Sequence, residues 1–91
     1  MKANAKHNIY DNYYELTKMN IARYKNRYSN CSLYIASLNN SVFEIFLEEH
    51  RIYAGDKAEC TRIFNHIIKC LKQAKYTVEK ADGEYYNVKC F

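Results

Sequence analysis

Tyr10, Tyr14, Thr17, Ile21, Tyr24 and Tyr28 recur at alternating steps of four and three, the spacing that lines up one side of a helix. Ile9, Tyr13 and Leu16 widen this stripe, while Asn12, Glu15, Lys18, Lys25 and Asn26 form a solvated opposite side. Asn8 followed by Asp11 has the form of an N-cap with an acid in the first turn, and Lys25 and Arg27 stand where a C-terminal dipole favours cations. The pattern predicts a first helix over 8–28, ended by Ser29 and Asn30.

The next apolar segments, CSLYIASL and SVFEIFLEE, flank Asn39-Asn40. As a hairpin with a two-residue type I′ turn, they would pair Ala36 with Phe43, Tyr34 with Ile45 and Ser32 with Leu47 on one face. Leu33 with Phe46, Ile35 with Glu44 and Ser37 with Val42 would fall on the other. As a helix over 41–54, Ser41 and Glu44 would make a capping box and Gly55 a C-terminal stop. The hairpin is preferred because Val42 to Phe46 has strong β character and the helix would place Ile45 and Ile52 on its polar side. Glu48-Glu49-His50 then makes a second turn and Arg51 to Ala54 a short third strand.

Asp56 with Glu59 has the form of a second helix start, followed by Cys60, Ile63, Phe64, Ile67, Ile68, Cys70, Leu71 and Ala74 along one side. The predicted helix runs from about Lys57 to Ala74, with Arg62, Asn65, His66, Lys69, Lys72 and Gln73 outward. The tail, YTVEKADGEYYNVKCF, reads as a hairpin. A three-residue loop at Ala81-Asp82-Gly83 pairs Val78 with Tyr86 and Tyr76 with Val88, sending Thr77, Glu79, Tyr85, Asn87 and Lys89 outward together.

The elements follow the order α-β-β-β-α-β-β and predict an α+β fold: a small antiparallel sheet of about five short strands packed with two helices. A chain of 91 residues makes a single domain with one modest core, and residues 1–7 are expected to be a flexible basic arm. Both faces of the first hairpin are fairly apolar. Either the helices cover opposite faces, or one face is left for a partner or a second copy.

Charge divides the chain unequally. Lys2, Lys6, Lys18, Arg23, Lys25 and Arg27 meet only Asp11 and Glu15 in the first thirty residues, so the whole surplus of +4 lies there, with five of the ten tyrosines. Such asymmetry speaks to partners and not to fold. No apolar run reaches the roughly 18 residues of a membrane span, and the start lacks the apolar core of a secretory signal. A cytoplasmic location without membrane contact is expected, with Cys31, Cys60, Cys70 and Cys90 as reduced core thiols. The absence of proline and tryptophan beside abundant Lys, Asn, Ile and Tyr suits AT-rich coding, as in a low-GC bacterium or its phages.

Catalytic chemistry has little support in the pattern. There is no phosphate-binding loop, dinucleotide fingerprint or His-Glu-x-x-His, and the cluster Glu48-Glu49-His50 sits at a predicted turn tip. His66 and Cys70 lie one helical turn apart, but a closed zinc site needs four ligands and no Cys-x-x-Cys is present. Neither an enzyme, nor a metal, nor a cofactor is expected.

Binding is the class that remains. Interfaces favour Tyr, Phe and Arg, and ten tyrosines exceed what so small a core can hold. The expected partner-binding residues are Lys18, Arg23, Lys25, Arg27, Tyr13, Tyr14, Tyr53 and Tyr85. The first expectation is a non-enzymatic protein that occupies a host protein or nucleoprotein complex, such as a phage or mobile-element inhibitor of a CRISPR-type defence. The second is a nucleic-acid-binding regulator that uses the basic first helix. The third is a homodimer closed on its sheet face.

Overall fold

The computed structural model describes residues 9–90. The expected basic arm over 1–7, with Lys2 and Lys6, and the Asn8 cap lie outside the described residues. Seven elements follow in order: α1 (Asp11–Tyr24), β1 (Asn30–Ser37), β2 (Phe43–Leu47), β3 (His50–Gly55), α2 (Lys57–Gln73), β4 (Val78–Asp82) and β5 (Tyr85–Lys89). The strands form one antiparallel sheet in the order β3-β2-β1-β5-β4. The expected α+β architecture is the observed one, and 41–54 is strand and turn, with no helix there.

α1 begins at Asp11 behind Tyr10, whose side chain makes no cap bond, and its regular part ends at Tyr24. A last turn continues to Tyr28, whose amide donates to the Tyr24 carbonyl at 2.7 Å. α2 starts as its sequence indicates: the Asp56 carboxylate accepts from the Glu59 amide at 2.8 Å. Asp56→Ala leaves that amide without its cap, and thermal melting is expected to show a loss of about 1 kcal/mol. At the other end, the Tyr76 amide reaches the Leu71 carbonyl and the Lys75 amide reaches that of Lys72, both at 3.0 Å. This double bond pattern closes the helix with Lys75 at φ 74°, a position usually given to glycine.

Both hairpins depart from the expected registers. In the first, Leu33 pairs with Leu47, Tyr34 with Phe46, Ile35 with Ile45, Ala36 with Glu44 and Ser37 with Phe43. The one-residue slip from the expected ladder comes from a longer loop, not an Asn-Asn turn. Leu38 and Asn39 donate to the Val42 carbonyl, and the Asn39 side-chain oxygen accepts from the Ser41 and Val42 amides. The observed register gathers Leu33, Ile35, Ile45 and Leu47 on one face and sends Tyr34, Ala36, Glu44 and Phe46 to the other. In the tail, Val78 pairs with Val88 and Lys80 with Tyr86, while a bulge at Ala81 lets Asp82 pair with Tyr85. The turn is therefore Gly83-Glu84, with Gly83 at φ 48°, and not a three-residue loop. The shift is two residues from the expected ladder, so the division into inward and outward residues is preserved.

Both helices lie on one face of the sheet. α2 receives the chain from β3 at one edge and delivers it to β4 at the other, while α1 packs against α2, β3 and β2. Ile21 and Tyr24 of α1, Ile63, Ile67 and Leu71 of α2, and Leu33, Ile45, Leu47 and Val88 of the sheet form one buried cluster. The buried Thr17 hydroxyl donates to the Tyr13 carbonyl, and the Asn20 amide group to that of Leu16. Cys31 and Cys90 meet in the same interior with their sulfurs 2.8 Å apart. Burial first, and Cys90 second, hold the Cys31 thiol well above its ordinary pKa.

Candidate functional site

With both helices on one side, the opposite face of the sheet carries a row of rings across its three middle strands. Tyr34 of β1 stacks on Phe46 of β2, with centroids 5.6 Å apart, and on Tyr85 of β5 at 5.2 Å. Alternation along each strand puts these side chains opposite the buried leucines, and antiparallel pairing brings them together. Two hydroxyl bonds fix the row. Tyr34 donates to the Glu48 carbonyl at 3.0 Å, and Tyr85 donates to the Ser32 hydroxyl at 2.7 Å.

Glu48 builds one wall of this surface. It sits in the β2–β3 turn at φ 56°, a left-handed conformation that costs a non-glycine residue on the order of 1–2 kcal/mol. Its carboxylate accepts from the Ser32 amide at 2.8 Å, and its own amide donates to the Ser32 carbonyl at 2.8 Å. These bonds to one residue of the central strand offset the strain. Ser32, Tyr34, Glu48, Glu49 and Tyr85 line an open groove of about 490 Å³ with an aromatic floor and an acidic rim. Farther out, Arg51 pairs with Glu44 at 3.1 Å.

The eight residues expected to bind a partner do not converge. Tyr85, 41% exposed, lies on the ring row. Tyr13 and Tyr53 are half-buried against each other on the helical side, edge to face at 5.3 Å. Tyr14 is also half-buried, with the Lys18 ammonium 5.2 Å from its ring centre, and Lys18 is paired with Glu15 at 3.2 Å. Arg23, Lys25 and Arg27 are exposed toward the end of α1 and just past it. Lys25 joins Lys75 and Lys89 around a groove of about 270 Å³, while Arg27 lies 5.8 Å from the centre of the Tyr24 ring. Tyr24 itself is core, and its phenol is pushed up to about 12, chiefly by burial and then by the Glu49 carboxylate.

Tyr34 and Phe46, the centre and one end of the row, were not among the expected residues. The assumed hairpin register placed them on opposite faces. The faces themselves held the corrective signal, since only the observed pairing separates Leu33, Ile45 and Leu47 from Tyr34, Glu44 and Phe46.

A second cluster lies on the helical side. Asp11, the first residue of α1, reaches the His66 Nε2 of α2 at 2.7 Å, and the same nitrogen is 3.3 Å from the Cys70 sulfur. In a thiol–imidazole–carboxylate triad the carboxylate and the nucleophile hold different ring nitrogens. Here both contacts fall on Nε2, so the arrangement does not relay a proton from sulfur through the ring to Asp11. Burial, followed by the Asp11 charge, raises the Cys70 thiol above its ordinary value. Beside this cluster Tyr10 donates to Glu59 at 2.9 Å, and Glu59 also holds Arg62 at 2.6 Å. The Arg62 guanidinium, then the Tyr10 hydroxyl, keeps the Glu59 carboxyl below the usual carboxylate range.

Among the described residues no helix is long and apolar enough to cross a membrane. Comparison of the chain with family models, with curated proteins and with solved structures finds no match in any of the three.

Proposed function

We propose that the chain is a small non-enzymatic binding protein that occupies a surface of a larger protein or nucleoprotein assembly through the open face of its sheet. The observation that carries this reading is the row Phe46, Tyr34 and Tyr85, which neither α1 nor α2 covers. Stacked aromatic side chains with hydroxyls already held in place provide contact area at little further loss of side-chain freedom. The acidic rim of Glu48 and Glu49 favours a partner that presents Lys or Arg, and it repels phosphate. Small size, an amino-acid composition that suits AT-rich coding, and such a surface suit a phage or mobile-element inhibitor acting in the cytoplasm of its host, for example against a CRISPR-type defence complex.

The exposed cations Arg23, Lys25 and Arg27 support the competing nucleic-acid reading, although Tyr10 just before α1 and Tyr13, Tyr14 and Tyr24 within it are turned into the fold. Three measurements separate the cases. The proposal expects a stable complex with a host protein that survives Arg23→Glu with Arg27→Glu, alongside a monomeric mass for the isolated chain. Tight binding to a DNA or RNA panel, falling steeply with salt and abolished by that double substitution, would replace it with the nucleic-acid reading. A doubled mass that Tyr85→Arg returns to monomer would assign the ring row to a second copy.

A further inference from the structure

We propose that Asp11, His66 and Cys70 form a three-ligand site for a zinc-like divalent ion, clasping the start of α1 to the middle of α2. The donor atoms of the three side chains all lie within 4.8 Å of one another. Asp11 and His66 are separated by 55 residues in sequence, so tertiary packing of the two helices builds the site. His66 and Cys70 are already aligned by their one-turn spacing on α2.

The three donor atoms converge closely enough for one ion to replace the hydrogen bonds they now make. Nε2 is one atom with one proton or one lone pair, yet it faces both a carboxylate oxygen and a sulfur. A divalent cation between them takes a lone pair from each of Oδ1, Nε2 and Sγ. With metal bonds of about 2.0–2.2 Å to nitrogen and oxygen and about 2.3 Å to sulfur, tetrahedral donors stand about 3.4 Å (N to O) and about 3.6 Å (N to S) apart. The observed 2.7 and 3.3 Å are hydrogen-bond distances, so binding would draw the donors apart by about 0.7 and 0.3 Å.

Thiolate and imidazole with one carboxylate select zinc or cobalt over magnesium or calcium, which prefer all-oxygen shells. Binding forms the sulfur–metal bond as the Cys70 thiol proton leaves to solvent. His66 ligates as the neutral ring through Nε2, with its proton on Nδ1. Three protein ligands leave a fourth position for water or for a group brought by another molecule. The Tyr10 ring, 6.0 Å from that of His66, walls one side.

The test is titration of the reduced, chelator-free full chain with cobalt(II), followed by displacement with zinc. Wild type is expected to develop tetrahedral visible bands and a thiolate-to-cobalt band that saturate at one equivalent. Cys70→Ser abolishes the thiolate band, while His66→Gln and Asp11→Asn each weaken binding at least tenfold. Cys31→Ala combined with Cys90→Ala, which removes the buried thiol pair, leaves the spectrum intact. Zinc at a hundredfold excess over its Kd raises the Tm of wild type by roughly 11–22 °C and leaves that of Cys70→Ser unmoved. Because zinc is read against each variant's own metal-free Tm, a general loss of stability does not imitate the result. Absence of the thiolate band at millimolar cobalt, its survival in Cys70→Ser or Cys70→Ala, its loss with Cys31 and Cys90, or undiminished affinity in Asp11→Asn would each overturn the assignment.

Discussion

Leu33→Ala is expected to lower the stability of this protein by about 3–4 kcal/mol, within the roughly 2–5 kcal/mol seen when a buried leucine is truncated. Leu33 is fully buried, at 0% exposure, on the central strand, with Leu47 beside it on β2 and Tyr86 on β5. Its inward neighbours belong to a single cluster that joins both helices to the sheet, so the cavity opens where every element meets. Backbone pairing on both sides of β1 restricts collapse around the void, which places the cost in the upper part of the range. For a domain of this size each kcal/mol moves Tm by roughly 4–8 °C, so a fall of more than about 12 °C is expected. Leu38→Ala is the control, because the same residue type is 66% exposed there. Its melting temperature should stay within a few degrees of wild type. Similar losses at both positions would show that the interior is not organised around β1.

Tyr34→Ala carries the second large effect, on the proposed complex with a protein partner rather than on the isolated chain. Tyr34 stands between Phe46 and Tyr85, so its removal separates the row into two rings with a gap between them. It also frees the Glu48 carbonyl that its hydroxyl now engages, at the lip of the acidic groove. Central aromatic residues of interfaces commonly cost 2 kcal/mol or more when truncated, about thirtyfold in Kd. Tyr85→Phe is the milder comparison. It removes only the bond to Ser32 and keeps the stack, and a loss of about threefold is expected from one partly exposed hydrogen bond. Calorimetry on the purified complex would rank the two variants. Equal affinity for wild type and Tyr34→Ala, with both folded, would remove the ring row from the interface.

The parts of this fold legible in the chain were those governed by local chemistry. α2 combines a capping aspartate, an acid three residues later and an apolar side repeated through Leu71, and its start and burial follow that pattern. α1 is less clear. Ile9, Leu16 and Met19 remain exposed although the first two extend its apolar stripe, and the polar Thr17 and Asn20 are buried because their side chains bond to carbonyls one turn back. The hairpin registers were hidden by loop chemistry. Asn39 uses its side chain as a turn acceptor within a five-residue connection, and a bulge at Ala81 moves the tail ladder by two. Inward and outward positions of the tail withstood that error because an even shift preserves alternation, whereas the odd shift in the first hairpin scattered the ring row. The Asp11, His66 and Cys70 cluster had only its α2 half written in the spacing. Nothing local links Asp11 to a helix 55 residues away.

The sheet order also governs how the protein is made. β1 lies in the middle, yet one of its two neighbours is β5, so Cys31 must wait for Val88 before that edge is paired. During synthesis from the amino end, β1, β2 and β3 can form a meander while one side of the central strand remains unmatched. An apolar unmatched edge is a template for intermolecular pairing. Ribosomes stalled between α2 and β5 should therefore display a sticky, protease-sensitive nascent chain, and the vulnerability should end only when β5 has emerged and docked.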